Sequence, residues 1–200
     1  MKGGLIVFEG SDGTGKSSLC KSLVEHLRAD GQNVLPLSFP GRNEGTIGWT
    51  VYDIHHHMQK YGIGAIDPTA LQCLHIAAHL DAITTRILPA VYQGHLVVLD
   101  RFWWSTLVYG VVGGANRKVI SKLIEAEVTA WGGLLPSVLF LVDRELPLRE
   151  EPMITWRAHR TEYLSLAKRE ANNYPVHMIS NNATEDVALD QVCKLLNKSA

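Results

Sequence analysis

One short segment concentrates glycine, hydroxyl and lysine: Gly10-Ser-Asp-Gly-Thr-Gly-Lys-Ser17. Its spacing is GxxxxGK[ST], and the chemistry of that spacing is the holding of phosphate. Glycines let the chain curl until backbone N–H groups point inward at phosphate oxygens. Lys16 supplies a point charge to a transferred phosphate, and the Ser17 hydroxyl is placed to hold Mg²⁺. Glu9 and Asp12 put carboxylates on both sides of Gly10. Further on, Asp100 closes the apolar run Leu96-Val-Val-Leu99 and is followed by Arg101. An acid at that place could join a Mg²⁺ shell, directly or through water.

These groups act only if regular elements position them. Leu5-Ile-Val-Phe8 reads as a strand, apolar throughout as a strand covered on both faces should be. Ser17 to Asp30 carries Leu19, Leu23, Val24 and Leu27 at helical spacing, and Gly31 stops it. The positive end of that helix adds to the phosphate site. Further strands are predicted at Val34–Phe39, weakened by Pro36, at Leu96–Leu99, at Val138–Val142 and at Val176–Ile179. Helices are predicted at about Thr46–Tyr61, Asn116–Trp131, Arg157–Ala171 and Thr184–Asn197. A longer one runs from Pro68 to about Tyr92, with Pro89 kinking or ending it. Strands alternating with helices give an α/β fold, a parallel sheet with helices on both faces. Asp143 to Thr155 is charged, contains Pro147 and Pro152, and reads as a mobile loop. No domain boundary is visible across residues 1–200.

Composition narrows the partners. Of 200 residues, 46 % are hydrophobic and 20 % charged, the balance of a folded domain. A net charge of −1, from 19 basic and 20 acidic residues, excludes a broadly basic polynucleotide-coating protein. It leaves room for local clusters that hold a small anion. Three scattered cysteines form neither a CxxC pair nor a zinc spacing. The apolar run at Leu5 stops at Glu9, too short for a signal peptide. No apolar stretch reaches the roughly 20 residues of a membrane span. A reducing, cytoplasmic setting is expected.

Phosphate loops serve kinases, switches and ATPases alike, and three further features choose among them. The loop reads Phe8-Glu-Gly-Ser-Asp-Gly-Thr-Gly-Lys-Ser17; Phe39-Pro-Gly-Arg42 follows the second strand, with Thr46-Ile-Gly48 beyond it; and Asp100-Arg101-Phe102 is followed by Ser105 and Tyr109. Together they resemble the thymidylate kinase family, with its FEGxDGxGKS/T loop, FPxR segment and DR-aromatic motif. Arg160–Arg169 and Val176–Ser180 are similar to the family's helix after the lid and its final strand. The resemblance implies the P-loop NTPase fold, a three-layer sandwich around a five-stranded parallel sheet, with a short lid at about 143–157. It also implies transfer of the ATP γ-phosphate to dTMP, with Mg²⁺, in a helix-paired homodimer.

Residue roles follow from the resemblance. ATP is expected on Gly10, Ser11, Asp12, Gly13, Thr14, Gly15, Lys16, Ser17 and Ser18, with Arg149 from the lid. Mg²⁺ is expected at Ser17 and Asp100. Arg42 and Arg101 match the family's acceptor-phosphate and reaction-centre arginines, whose planar guanidinium groups can grip phosphate oxygens bidentately. Asp12 matches a carboxylate near the acceptor sugar, and Glu9 is expected to act through Mg²⁺ or water. Phe39, Pro40, Trp103 and Tyr109 are expected around the acceptor. Some members carry an arginine inside the loop. Here that position is Gly13, so a lid arginine must serve, with Arg157, Arg160 and Arg149 the candidates and Arg144 behind them.

The base-binding helix departs from the family. An aromatic residue and an arginine four positions later are replaced by His75 and His79, one turn apart on one helix face. This suggests an altered acceptor pocket. His55-His56-His57 cannot chelate a metal together, because consecutive helical residues point in different directions. Ile76, Leu80, Ile83 and Ile87 share helical spacing and read as core or dimer surface. Two alternatives remain at this point. One is a kinase for another or modified deoxynucleotide or a deoxynucleoside. The other is a non-catalytic nucleotide-binding homologue, although no NKxD guanine-reading segment is present.

Overall fold

The computed structural model describes residues 3–199. Five strands form one parallel sheet: β1 Gly4–Glu9, β2 Val34–Ser38, β3 Leu96–Asp100, β4 Val138–Asp143 and β5 Val176–Ser180. Their spatial order is β2-β3-β1-β4-β5, so β1 and β3 lie side by side near the middle. Phe8 pairs with Asp100 in register, which brings the phosphate loop and the Asp100-Arg101 pair out at one end of the sheet. Pro36 is tolerated because β2 is an edge strand.

Strand side chains alternate between two cores, as the period of two demands. Leu5, Val7, Val97, Leu99, Leu139 and Leu141 face one cluster, shared with Ile76, Ile83 and Ile87. Those three isoleucines are core. Ile6, Phe8, Val98, Val138 and Phe140 face the other, covered by Leu19 and Leu23 of α1 (Lys16–Ala29) and by Ala188 and Val192 of α8 (Glu185–Ser199). Helices therefore lie on both faces, as expected.

Several helix bounds shift for physical reasons. The stretch expected at Thr46–Tyr61 divides into α2 (Ile47–His56) and a 3₁₀ turn at Met58–Tyr61. Thr46 caps α2, its hydroxyl accepting from the Trp49 N–H at 3.1 Å. The Pro68–Tyr92 helix is real but not uniform. α3 (Pro68–Ala82) passes through a π-turn at Ile83–Ile87 into α4 (Leu88–Tyr92). The widened turn lies just before Pro89, which cannot donate to a carbonyl one turn back. α5 (Trp103–Val112) has no counterpart in the sequence reading. Seven of its ten residues are buried, so it shows no polar face and no periodicity.

α6 (Arg117–Ala130) is capped by Asn116, and α7 (Met153–Glu170) begins four residues earlier than expected. The lid, expected at 143–157, is correspondingly shorter: β4 runs through Asp143 and α7 starts at Met153, leaving 144–152 as the connection.

Candidate active site

The site starts at the end of β1. Gly10 leaves the strand at φ 146°, and a side chain there would strike the Val142 carbonyl. Gly15 sits at φ 80° as the N-cap of α1, where a Cβ would meet Asn181. Asn181 is buried and donates its amide N–H to the Thr14 carbonyl at 2.7 Å. The lid braces the loop from the other side. Leu148 N–H donates to the Gly13 carbonyl at 2.7 Å, and Trp156 Nε1–H to the Asp12 carbonyl at 2.8 Å.

Lys16 and Ser17 open α1 and meet Asp100 at the end of β3. Ser17 Oγ donates to Asp100 Oδ2 at 2.6 Å, and Lys16 Nζ lies 3.0 Å from Oδ1. Burial raises the Asp100 carboxyl, but Lys16 and Arg101 outweigh it and hold it below the ordinary range. Oδ1 is buried and accepts no aligned hydrogen bond. A hydroxyl and an ionised carboxylate side by side suit a hard cation that takes its other ligands from phosphate and water. Among the described residues no cluster of three or more His, Cys, Asp or Glu forms a metal site.

Glu9 does something the sequence did not reveal. It is fully buried, and Oε1 accepts from the Phe102 N–H at 2.7 Å and the Ser105 N–H at 3.0 Å. Oε2 accepts from Ser105 Oγ at 2.8 Å. Phe102 is the N-cap of α5 and offers no side-chain oxygen. Glu9 therefore caps α5 from a neighbouring strand. Burial raises its carboxyl, opposed chiefly by Arg101.

Arg101 has φ 76°, the one non-glycine residue with positive φ among the described residues. This costly backbone turns its guanidinium back over the loop. Nη1 donates to Ser105 Oγ at 2.9 Å, Nη2 pairs with Asp12, and the group lies over the Tyr109 ring, 5.1 Å from its centre. Burial lifts the Asp12 carboxyl, but Arg101, Lys16 and Arg149 outweigh it and keep it below the usual range. Burial pushes the Tyr109 phenol up to about 12, so it stays protonated and accepts the Asp12 backbone N–H at 3.0 Å. Tyr163, on α7, joins the cluster 2.8 Å from Ser105 Oγ.

A cavity opens beside this cluster. Phe39, Pro40 and Arg42 form one wall, with a cis peptide between Phe39 and Pro40. His75 and His79 of α3 line another, and Asp12, Arg101, Tyr109 and Arg149 the end next to the loop. His75 Nε2 lies 3.2 Å from His55 Nδ1. Burial, then the neighbouring His79 and His55, push His75 down to about 3, so it is neutral near pH 7. His79 is stacked on Phe39 with ring centres 4.0 Å apart.

Other expected residues fall elsewhere. Trp103 is buried in the core against Phe102 and Trp104 and is not among the cavity-lining residues. Its rings belong to packing because α5 is enclosed on nearly every side. Arg160 is committed to Asp143 by two hydrogen bonds of 2.7 Å. Arg144 reaches the Asn181 carbonyl. Arg149 lies 3.4 Å from Asp12 and 2.5 Å from Glu151, at the acceptor cavity rather than on the outer side of the loop. Arg157 is exposed and holds no ion pair among the described residues. Gln72, Thr106 and Glu127 also belong to this region, and sequence reasoning passed over all three. No motif marks them; only the fold brings them together.

The thymidylate kinase family model matches residues 8–188. A thymidylate kinase of Thermoanaerobacter sp. (strain X514) is 36 % identical over 143 residues. That alignment takes in 72 % of this chain and 66 % of the relative's length, just under two thirds. A thymidylate kinase of Chlamydia trachomatis serovar D is 29 % identical over 210 residues, covering 96 % of this chain and 99 % of that one. The crystal structure of thymidylate kinase from Ehrlichia chaffeensis superposes with a TM-score of 0.77. It covers 98 % of this chain and all of its own at 21 % identity, which establishes the shared fold. With the family pattern running through the phosphate loop, both arginine segments and the lid helix, the chain belongs to the thymidylate kinase family.

Proposed function

We propose that the protein transfers the γ-phosphate of ATP to dTMP, giving dTDP, with Mg²⁺. The observation that carries this is the single end of the sheet where the Gly10–Ser17 loop and the arginine-lined cavity meet across Asp12 and Arg101. A donor phosphate on the loop and an acceptor phosphate near Arg42 and Arg101 then face each other. Phosphoryl transfer asks little covalent chemistry of the protein. Positioning and charge neutralisation do the catalysis.

The loop amides and Lys16 hold the donor phosphates. Ser17 and Asp100 would hold Mg²⁺, which would supply neutralisation of the phosphate charge. Arg101, held by Ser105 and Asp12, meets the transferred group. Glu9 keeps Arg101 and α5 in place rather than touching substrate. Arg42 is exposed at the cavity and binds the acceptor phosphate. Phe39 and Pro40 close the acceptor wall, and Tyr109 packs near the sugar. Of the lid arginines, Arg157 is uncommitted and can swing to the transferred phosphate, whereas Arg160 is engaged by Asp143. Family resemblance supports a homodimer. Its cysteines are free, and no helix among the described residues is long and apolar enough to cross a membrane; both fit a cytoplasmic enzyme.

The test is Mg·ATP-dependent phosphorylation of a panel of nucleoside monophosphates and nucleosides, with Lys16→Ala as control. dTMP should be the best acceptor and the control inactive. Preference for another acceptor would move the assignment to a different nucleotide. ATP binding without transfer to any acceptor would make the chain a non-catalytic homologue.

A further inference from the structure

Glu127 is an acid on an otherwise amphipathic helix, yet it is fully buried. Oε2 lies 3.0 Å from His79 Nδ1, and that is its one hydrogen bond; Oε1 has none. Burying a carboxylate is costly, so a lone acid in a core calls for an account. The other surroundings of His79 supply it. One face of the imidazole lies flat on Phe39 at 4.0 Å, 13° from parallel. Its Nδ1 edge is taken by Glu127. Its Nε2 has no hydrogen-bond partner among the described residues, and the residue lines the acceptor cavity. Gln72, also buried, lines the same wall. The ring is thus fixed in plane and in rotation.

We propose that Glu127 is a positioning residue for acceptor recognition: it takes the Nδ1–H of His79, locks the ring on Phe39, and delivers Nε2 to the edge of the acceptor base. The inference rests on the acceptor-site reading above. The ligand class that fits is a 2,4-dioxopyrimidine, whose edge offers an N–H between two carbonyls, a donor for the unprotonated Nε2. Glu127 touches no substrate. It acts as the outer partner that sets the tautomer and angle of a ligating histidine.

The first experiment uses the free enzyme. ¹⁵N-edited NMR of the imidazole rings, assigned with His79→Gln, should show the His79 proton on Nδ1 before any nucleotide is added. Adding dTMP should then move the Nε2 resonance. A ring protonated on Nε2 alone, or an Nε2 resonance unmoved by saturating dTMP, would overturn the proposal. The second compares Glu127→Met with Glu127→Gln. The methionine variant should raise the KM for dTMP about tenfold, the scale of one lost buried hydrogen bond. Its KM for ATP and its kcat should change less than about twofold. Glutamine, whose amide oxygen still accepts from Nδ1, should restore the dTMP KM to within about threefold. Equal losses for both substrates, or a folded methionine variant with unchanged dTMP KM, would refute the role. If the wild-type enzyme phosphorylated no dTMP, the kinase assignment would fail while the tautomer measurement would still judge Glu127.

Discussion

Removing the Glu9 carboxylate should unfold the site before it alters any chemistry. In Glu9→Ala, the Phe102 and Ser105 amides lose acceptors at 2.7 and 3.0 Å. Both lie at the buried start of α5, where no side chain can replace Glu9. Ser105 Oγ keeps Tyr163 at 2.8 Å and is less affected. An amide left buried without an acceptor costs about 1–3 kcal/mol, so two cost about 4. Deleting a desolvated carboxylate returns about 1 kcal/mol of that. The net loss is about 3 kcal/mol. With a urea dependence of about 2 kcal/mol per molar, the unfolding midpoint should fall by about 1.5 M. Glu9→Gln keeps an oxygen for the two amides and should lose less than half as much. Urea titration followed by far-UV circular dichroism reads both variants. A midpoint for Glu9→Ala within about 0.3 M of wild type would mean that the amides find other partners, and the capping role would be wrong.

Other consequences are as direct. Arg42→Ala should raise the KM for the acceptor at least tenfold while leaving ATP binding within about twofold, since it removes a charge-assisted phosphate contact; equal loss for both would remove it from the acceptor site. Gly48→Ala should destabilise the fold by about 2 kcal/mol or more, because its Cβ would collide with the Pro40 carbonyl; an unchanged melting temperature would contradict the packing. His75 is neutral when folded, with its pKa depressed from 6.5 to about 3. Its contribution to stability is therefore present above pH 6.5 and is lost as pH falls through that window toward 3. His75→Phe should flatten the decline in melting temperature over that range, and an identical slope would show that the ring is not buried neutral.

Much of the frame was legible because strands covered on both faces carry unbroken apolar runs, and all five strands were found within a residue or two. Pro36 weakened the reading of β2, yet it marks an edge. The phosphate loop and Asp100-Arg101 could be read because their chemistry is local in sequence. α5 could not, because burial on nearly all sides erases the amphipathic period that announces a helix. The capping role of Glu9, and Tyr163, Asn181 and Glu127 altogether, escaped for a different reason. Their roles are set by partners far away in the chain, such as Glu9 with Ser105 and His79 with Glu127. No spacing rule spans such distances. Trp103 was misplaced because a large ring beside a motif looks the same whether it faces a ligand or a core.

Pro36 has a meaning outside catalysis. The Asn33 carbonyl and the Phe39 N–H both turn toward β3, so residues 34, 36 and 38 present their backbone groups to the outside. The N–H that proline lacks is one that the sheet never uses. The outer rim of β2 is left with a gap at its centre, and a second chain could not zip onto it without leaving a carbonyl unmatched. In a crowded compartment, where exposed strand rims invite fibrous stacking, one imino acid keeps this rim from becoming a template.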